Sequence, residues 1–184
     1  MTLEIPRDQR QAFALQTHKE YVDLMWSRFG LPSSPGYARV EIKPLLMSAG
    51  GVSYDPDVIS VSDVINTEQE IEDTVRHESG HMLHPFARKE YSEGRTPNKD
   101  LCEVVAHLGH IVYVALTSRE ESIQELIERE GTSYSYVHLL LARDIHQKDP
   151  DLLAKMCQED MPEVLELVVS QFWRPFMGPK APTE

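Results

Sequence analysis

VRHESGHMLHP, residues 75–85, sets His77 and His81 four positions apart, with Glu78 beside the first and His84 three positions beyond the second. On a helix, residues four apart share one face about one turn apart, so the two imidazoles can offer nitrogens to a single ion. Glu78 lies about 100° further round, where it flanks such an ion without having to bind it. This is the arrangement a zinc hydrolase uses. The metal brings the pKa of its bound water down towards about 7, and a neighbouring carboxylate takes the proton as the water attacks a carbonyl. The stretch therefore has to be helical, and its flanks agree. Thr67 followed by Glu70 makes a capping box that opens a helix running to His84, where Pro85 interrupts it.

A catalytic zinc needs three protein ligands and one open position. The metzincin continuation of the motif would require glycine at 84 and histidine at 87, where this chain has His84 and Ala87. A glutamate on the following helix fits better: CEVVAHLGH, residues 102–110, supplies Glu103 with 21 residues between it and His81. With Glu103 at zero on a helical wheel, His107 falls at about 40°, His110 at about −20° and Val114 at about 20°. Leu101, Val104, Leu108 and Ala115 fall on the far side. Two helices thus present ligand-type faces, as an interhelical metal site requires. His84, at the helix end, is read as favouring the negative end of the helix dipole, not as a ligand.

Working outward, residues 7–29 place Phe13, Leu15, Tyr21, Leu24, Met25 and Phe29 near helical spacing, and Gly30 and Pro32 stop that helix. From Ala38 to Ser62 the texture changes to short β-branched runs, RVEIKPLLM, GVSY and DVISVS, separated by turn signals at SAGG and YDPD. A small antiparallel or mixed sheet is expected, with Pro44 confining the first run to an edge or a bulge. After the motif helix, a helix is expected from Pro97 or Lys99 to Leu116, with Leu101, Val104, Leu108, Ile111 and Ala115 on one apolar stripe. Ser118 with Glu121 reads as another capping box, leading a helix to about Glu130. Further helices follow from Tyr134 to Trp173, broken at Asp149-Pro150 and Met161-Pro162. The order, helix, small sheet, motif helix and then helices alone, is an α+β pattern and mostly α.

At 184 residues the chain has the size of one domain, 1–184, with a metal core over about 38–117 and C-terminal helices over about 118–175. A hydrophobic fraction of 41%, a charged fraction of 26% and a mean hydropathy of −0.38 belong to an ordinary soluble protein. No apolar run approaches the roughly 20 residues a membrane span needs. MTLEIPRDQRQAF lacks the basic flank and apolar stretch of a secretory signal, so a cytoplasmic location is expected. Cys102 and Cys157 read as reduced, buried thiols. A net charge of −12 argues against a nucleic-acid partner, which is held through clustered Lys and Arg.

HESGH with the downstream Glu103 resembles the gluzincin branch of the zincin metallopeptidases, and the short chain is most similar to the minigluzincins. The resemblance covers roughly residues 38–117. It implies a zincin-like fold, Zn2+ bound by His77, His81 and Glu103, and Glu78 as general base in peptide hydrolysis. It also implies a peptide or unfolded protein substrate lying along the edge strand of a small sheet similar to GVSYDPDVISVSD. Members of the branch often carry a further His or Tyr that stabilises the oxyanion. Tyr134, Tyr136, His138, His107 and His110 are available, and no motif selects among them. Some small members are held latent by a terminal segment, and VLELVVSQFWRPFMGP near the C-terminus is apolar enough to cover a cleft, although its stripe also suits an ordinary core helix.

The alternative function is a latent or non-catalytic metal-binding protein of this fold whose cleft the C-terminal helices fill. A di-iron carboxylate bundle needs Glu-x-x-His on each of two helices. Glu78 and His81 supply one, but Ala106 stands where Glu103 would need a histidine. SAGG lacks the GK[ST] of a phosphate loop, and no G-x-S-x-G elbow is present.

Overall fold

The computed structural model describes residues 3–31, 36–45, 51–55, 57–83, 99–117, 122–130 and 136–158. Helix α1 (Arg7–Phe29) is followed by strands β1 (Arg39–Lys43), β2 (Gly51–Asp55) and β3 (Val58–Ser62). Then come α2 (Glu68–Met82), α3 (Lys99–Thr117), α4 (Ile123–Glu130), α5 (Tyr136–Lys148) and α6 (Leu152–Gln158). The architecture is a mostly helical α+β arrangement, as the element order in the sequence implies.

Local chemistry accounts for most boundaries. Gly30 ends α1 in the left-handed region at φ 69°, and its N–H donates to the Trp26 carbonyl at 2.8 Å. At the start of α2, Thr67 Oγ1 accepts from the Glu70 N–H at 3.3 Å while the Thr67 N–H donates to the Glu70 carboxylate at 3.2 Å, the reciprocal capping box expected there. The capping box that opens α4 is made by Ser122 and Glu125. The Ser122 N–H donates to the Glu125 carboxylate at 2.6 Å, and the Glu125 N–H donates to Ser122 Oγ at 3.1 Å. The expected pair, Ser118 and Glu121, has the same S-x-x-E pattern four positions earlier, so the sequence alone does not rank the two. Asp149-Pro150 separates α5 from α6 as expected. Ser118, Glu121, His84, Pro85, the Met161-Pro162 break and the apolar C-terminal stretch lie outside the described residues.

The sheet runs in the order β1-β3-β2. β2 pairs antiparallel with β3, with an irregularity between Val52 and Asp55, but β1 pairs parallel with β3, placing Val40 opposite Ile59 and Ile42 opposite Val61. The purely antiparallel alternative is thereby corrected to a mixed sheet. Burial accounts for the order of the strands: every residue of VISVS after Val58 is buried, on both faces, so β3 takes the centre with a neighbour on each side. β1 stops at Lys43, before Pro44, and is an edge strand.

Two apolar clusters organise the described residues. One lies between the sheet, α1 and α2, and contains Ala14, Val40, Ile59, Val61, Ile71 and Val75. The other surrounds α3 and draws on α1, α4, α5 and α6, with Tyr21, Met25, Leu108, Ile111, Leu126, Leu139 and Leu152 at its centre. α3 is not the one-striped helix expected. Its residues from Val104 to Val114 are buried on every side, and Ala115 is exposed. It is the central helix of the helical layer.

Candidate metal centre

Asp73 near the start of α2 faces His110 late in α3, and His81 at the end of α2 faces Glu103 early in α3, so the two helices run antiparallel. They approach so closely at one point that a side chain would not fit. A Cβ on Gly80 would lie 2.7 Å from both Cα and the carbonyl oxygen of Ala106. Gly80 falls between His77 and His81 on α2, and Ala106 between Glu103 and His107 on α3. The near-contact of backbones therefore brings the two side-chain pairs face to face.

His77 Nε2 lies 3.2 Å from His81 Nε2 and 3.2 Å from Glu103 Oε2, and His81 Nε2 lies 3.8 Å from Glu103 Oε1. Donors bound to one tetrahedral ion at about 2.0–2.2 Å are separated by roughly 3.3–3.6 Å, so these three side chains fit a metal ion with little movement. A second grouping overlaps the first: His77, Glu103 and His107 each bring one donor atom within 4.8 Å of the others. In the first set the carboxylate uses both oxygens, Oε2 towards His77 and Oε1 towards His81.

The electrostatics suit a cation. Burial pushes the Glu103 carboxyl up, but a hydrogen bond and charge interaction with His77, together with His81 and His138, outweigh it and hold Glu103 down at about 2. Burial, then the charge of His77, pulls His81 down to about 3 against the opposing carboxylate of Glu103. Burial, with His77 next, also drives His107 well below the ordinary range. At neutral pH Glu103 is an ionised carboxylate and His81 and His107 are neutral imidazoles, the protonation state in which these groups bind metal.

Glu78 sits beside the cluster, 6% exposed. Burial raises its carboxyl from 4.5 to about 7, the charge of His77 opposing and that of Glu103 reinforcing the shift. Gly51 at the start of β2 lies directly over it, since a Cβ there would stand 2.9 Å from Glu78 Cγ and 3.1 Å from Oε1. The third residue of the motif, Ser79, is held from the other side. Ala38 N–H donates to His18 Nε2 at 2.9 Å, so the proton of this buried imidazole is on Nδ1, which donates to Ser79 Oγ at 2.8 Å. Ser79 Oγ in turn donates to the Val75 carbonyl at 2.5 Å. His18 and Gly51 escaped the sequence reading because each is defined by its neighbour across the fold. A polar residue on the buried face of α1 was the available signal for His18.

The remaining candidates separate. His110 shares the α3 face of Glu103 and His107, as the wheel requires, but its Nε2 stands 3.6 Å from Asp73 Oδ1, one turn of α2 away from His77. Asp73 is also held by Arg129 of α4, whose Nε and Nη2 donate to its two oxygens at 2.7 and 3.0 Å. His138 is buried on α5, Tyr136 is half-buried beside the helical cluster, and Tyr134 lies outside the described residues. Cys102 and Cys157 are buried and not joined in a disulfide, and burial pushes Cys157 up to about 12. Among the described residues no helix is long and apolar enough to cross a membrane. No family model, curated protein or solved structure matches the chain.

Proposed function

We propose that the chain is a zinc-dependent metallopeptidase of the gluzincin kind, with a zincin-like arrangement of small sheet, motif helix and glutamate helix. The observation that carries this reading is the convergence of His77 Nε2, His81 Nε2 and the Glu103 carboxylate to within 3.8 Å of one another, from two helices and 22 positions apart in sequence at the farther step. His77, His81 and Glu103 would hold the ion. When bound, zinc supplies a Lewis acid that acidifies water and polarises a carbonyl.

The chain's own residues supply the rest. Glu78, a buried carboxyl beside the cluster that burial raises in the metal-free chain, would be the general base that takes the proton of the attacking water and later returns it to the leaving amine. Its walls, α2 and the start of β2, keep bulk water from the carboxylate. The His18–Ser79 link fixes the turn of α2 that carries Glu78 and His81. β2, an edge strand whose first residue lies over Glu78, offers backbone groups to which an extended peptide can add as a further strand.

The test compares wild type with Glu78→Gln, both loaded with zinc, on an unfolded protein substrate. The amide keeps the shape and the metal ligands but takes no proton, so cleavage should fall by about 10²–10⁴ at unchanged zinc content. Equal and measurable cleavage by the two would refute the mechanism.

A further inference from the structure

Resting on the metal reading of this site, we propose that His107 is a fourth protein donor, so that the ion is held between two helical pairs, His77 with His81 and Glu103 with His107. Each pair has the i, i+4 spacing that aligns side chains on one helix face. The two pairs flank the point, Gly80 against Ala106, where the helices come into backbone contact. His107 is therefore carried to the cluster by the same approach that carries Glu103.

Three observations converge on it. A donor atom of His107 lies within 4.8 Å of those of His77 and Glu103. Its ring centroid is 4.5 Å from that of His77, nearer than the 4.8 Å between the rings of His77 and His81. Its Nε2 is buried without a hydrogen-bond partner among the described residues, and the residue is 4% exposed. A buried imidazole nitrogen left unpaired carries a desolvation cost that a metal bond removes. His110, on the same face, has Asp73 beside it instead. The consequence is functional: three imidazoles and one carboxylate close a tetrahedral sphere, and the open position a hydrolase needs exists only when His107 leaves it. Latency would then reside in α3 and would not require the C-terminal segment.

The experiment uses the full chain loaded with Co2+ or Zn2+ alone. X-ray absorption on the wild-type zinc form should count three imidazoles, and two would overturn the proposal without needing any variant to fold. Replacing the donor with His107→Ala should weaken zinc in chelator competition by about tenfold or more and change the visible Co2+ spectrum, and added imidazole should restore that spectrum. Unchanged affinity and spectrum in His107→Ala would also overturn it. Failure of the underlying metal reading looks different: the wild type would take up no stoichiometric metal, or His77→Ala and His81→Ala would bind as well as wild type.

Discussion

Glu78 is the residue whose environment does most to set the behaviour of the site. Its folded pKa of about 7 stands above the ordinary 4.5, so in metal-free protein the unfolded chain releases this proton first. The stability it contributes is complete below about 4.5 and is lost as pH rises through 7, on the order of 3 kcal/mol. Glu103 acts in the opposite sense, but its window lies below pH 4.5. His81, lowered to about 3, gains stability as pH rises towards 6.5 and would mask the effect in wild type alone. Comparison with Glu78→Gln removes these common contributions. In chelator, urea denaturation at pH 5 and pH 8 should show the variant gaining on wild type as pH rises. A second prediction at this scale concerns His18, 0% exposed. His18→Leu strands the Ala38 N–H and takes a donor from Ser79, and should cost about 1–3 kcal/mol, while Ser79→Ala should cost less. A double-mutant cycle on the pair should give a coupling above about 0.5 kcal/mol.

At the scale of elements, the spacing of α2 and α3 is set by Gly80. In Gly80→Ala the new methyl meets Ala106 backbone, which cannot rotate aside as a side chain could. The helices must separate, at about 1–3 kcal/mol, and the two candidate ligand pairs separate with them. On the proposed metal reading, zinc affinity should therefore fall along with the urea midpoint, even though no candidate ligand is altered. Arg129 anchors α4 to α2 through Asp73, which is 7% exposed. Arg129→Ala should cost about 2–3 kcal/mol. That is less than the roughly 3–5 kcal/mol of a fully buried pair, because Arg129 is one-third exposed and Gln69 still donates to Asp73. Arg129→Lys should recover only part of this in the same measurement, since a lysine cannot donate to both oxygens in one plane.

For the whole molecule, a metal that binds only the folded chain stabilises it by mass action. Zinc at about a hundredfold above its Kd should add about 2.7 kcal/mol, seen as a rise in Tm that His77→Ala and His81→Ala abolish. How much of this was legible beforehand varies by feature. α1 from Arg7 to Phe29, the capping box at Thr67, the break at Asp149-Pro150 and the strand runs around β1 to β3 are local matters of spacing and capping, and the residues declare them. The ligand-type faces of α2 and α3 were equally visible, because a helical wheel depends only on residue order. Ala115 misled, because an apolar stripe marks a buried face only where another element covers it, and Ala115 near the end of α3 is exposed. Taken alone, the sequence determined which elements form, where most of them stop and which helix faces carry His77, His81, Glu103 and His107. Tertiary structure alone decided that β3 lies between β1 and β2, that Gly80 meets Ala106, that Glu78 is sealed by Gly51, and that His18 grips Ser79. Periodicity is a property of one segment, whereas partner and distance are properties of two, fixed only when the segments pack.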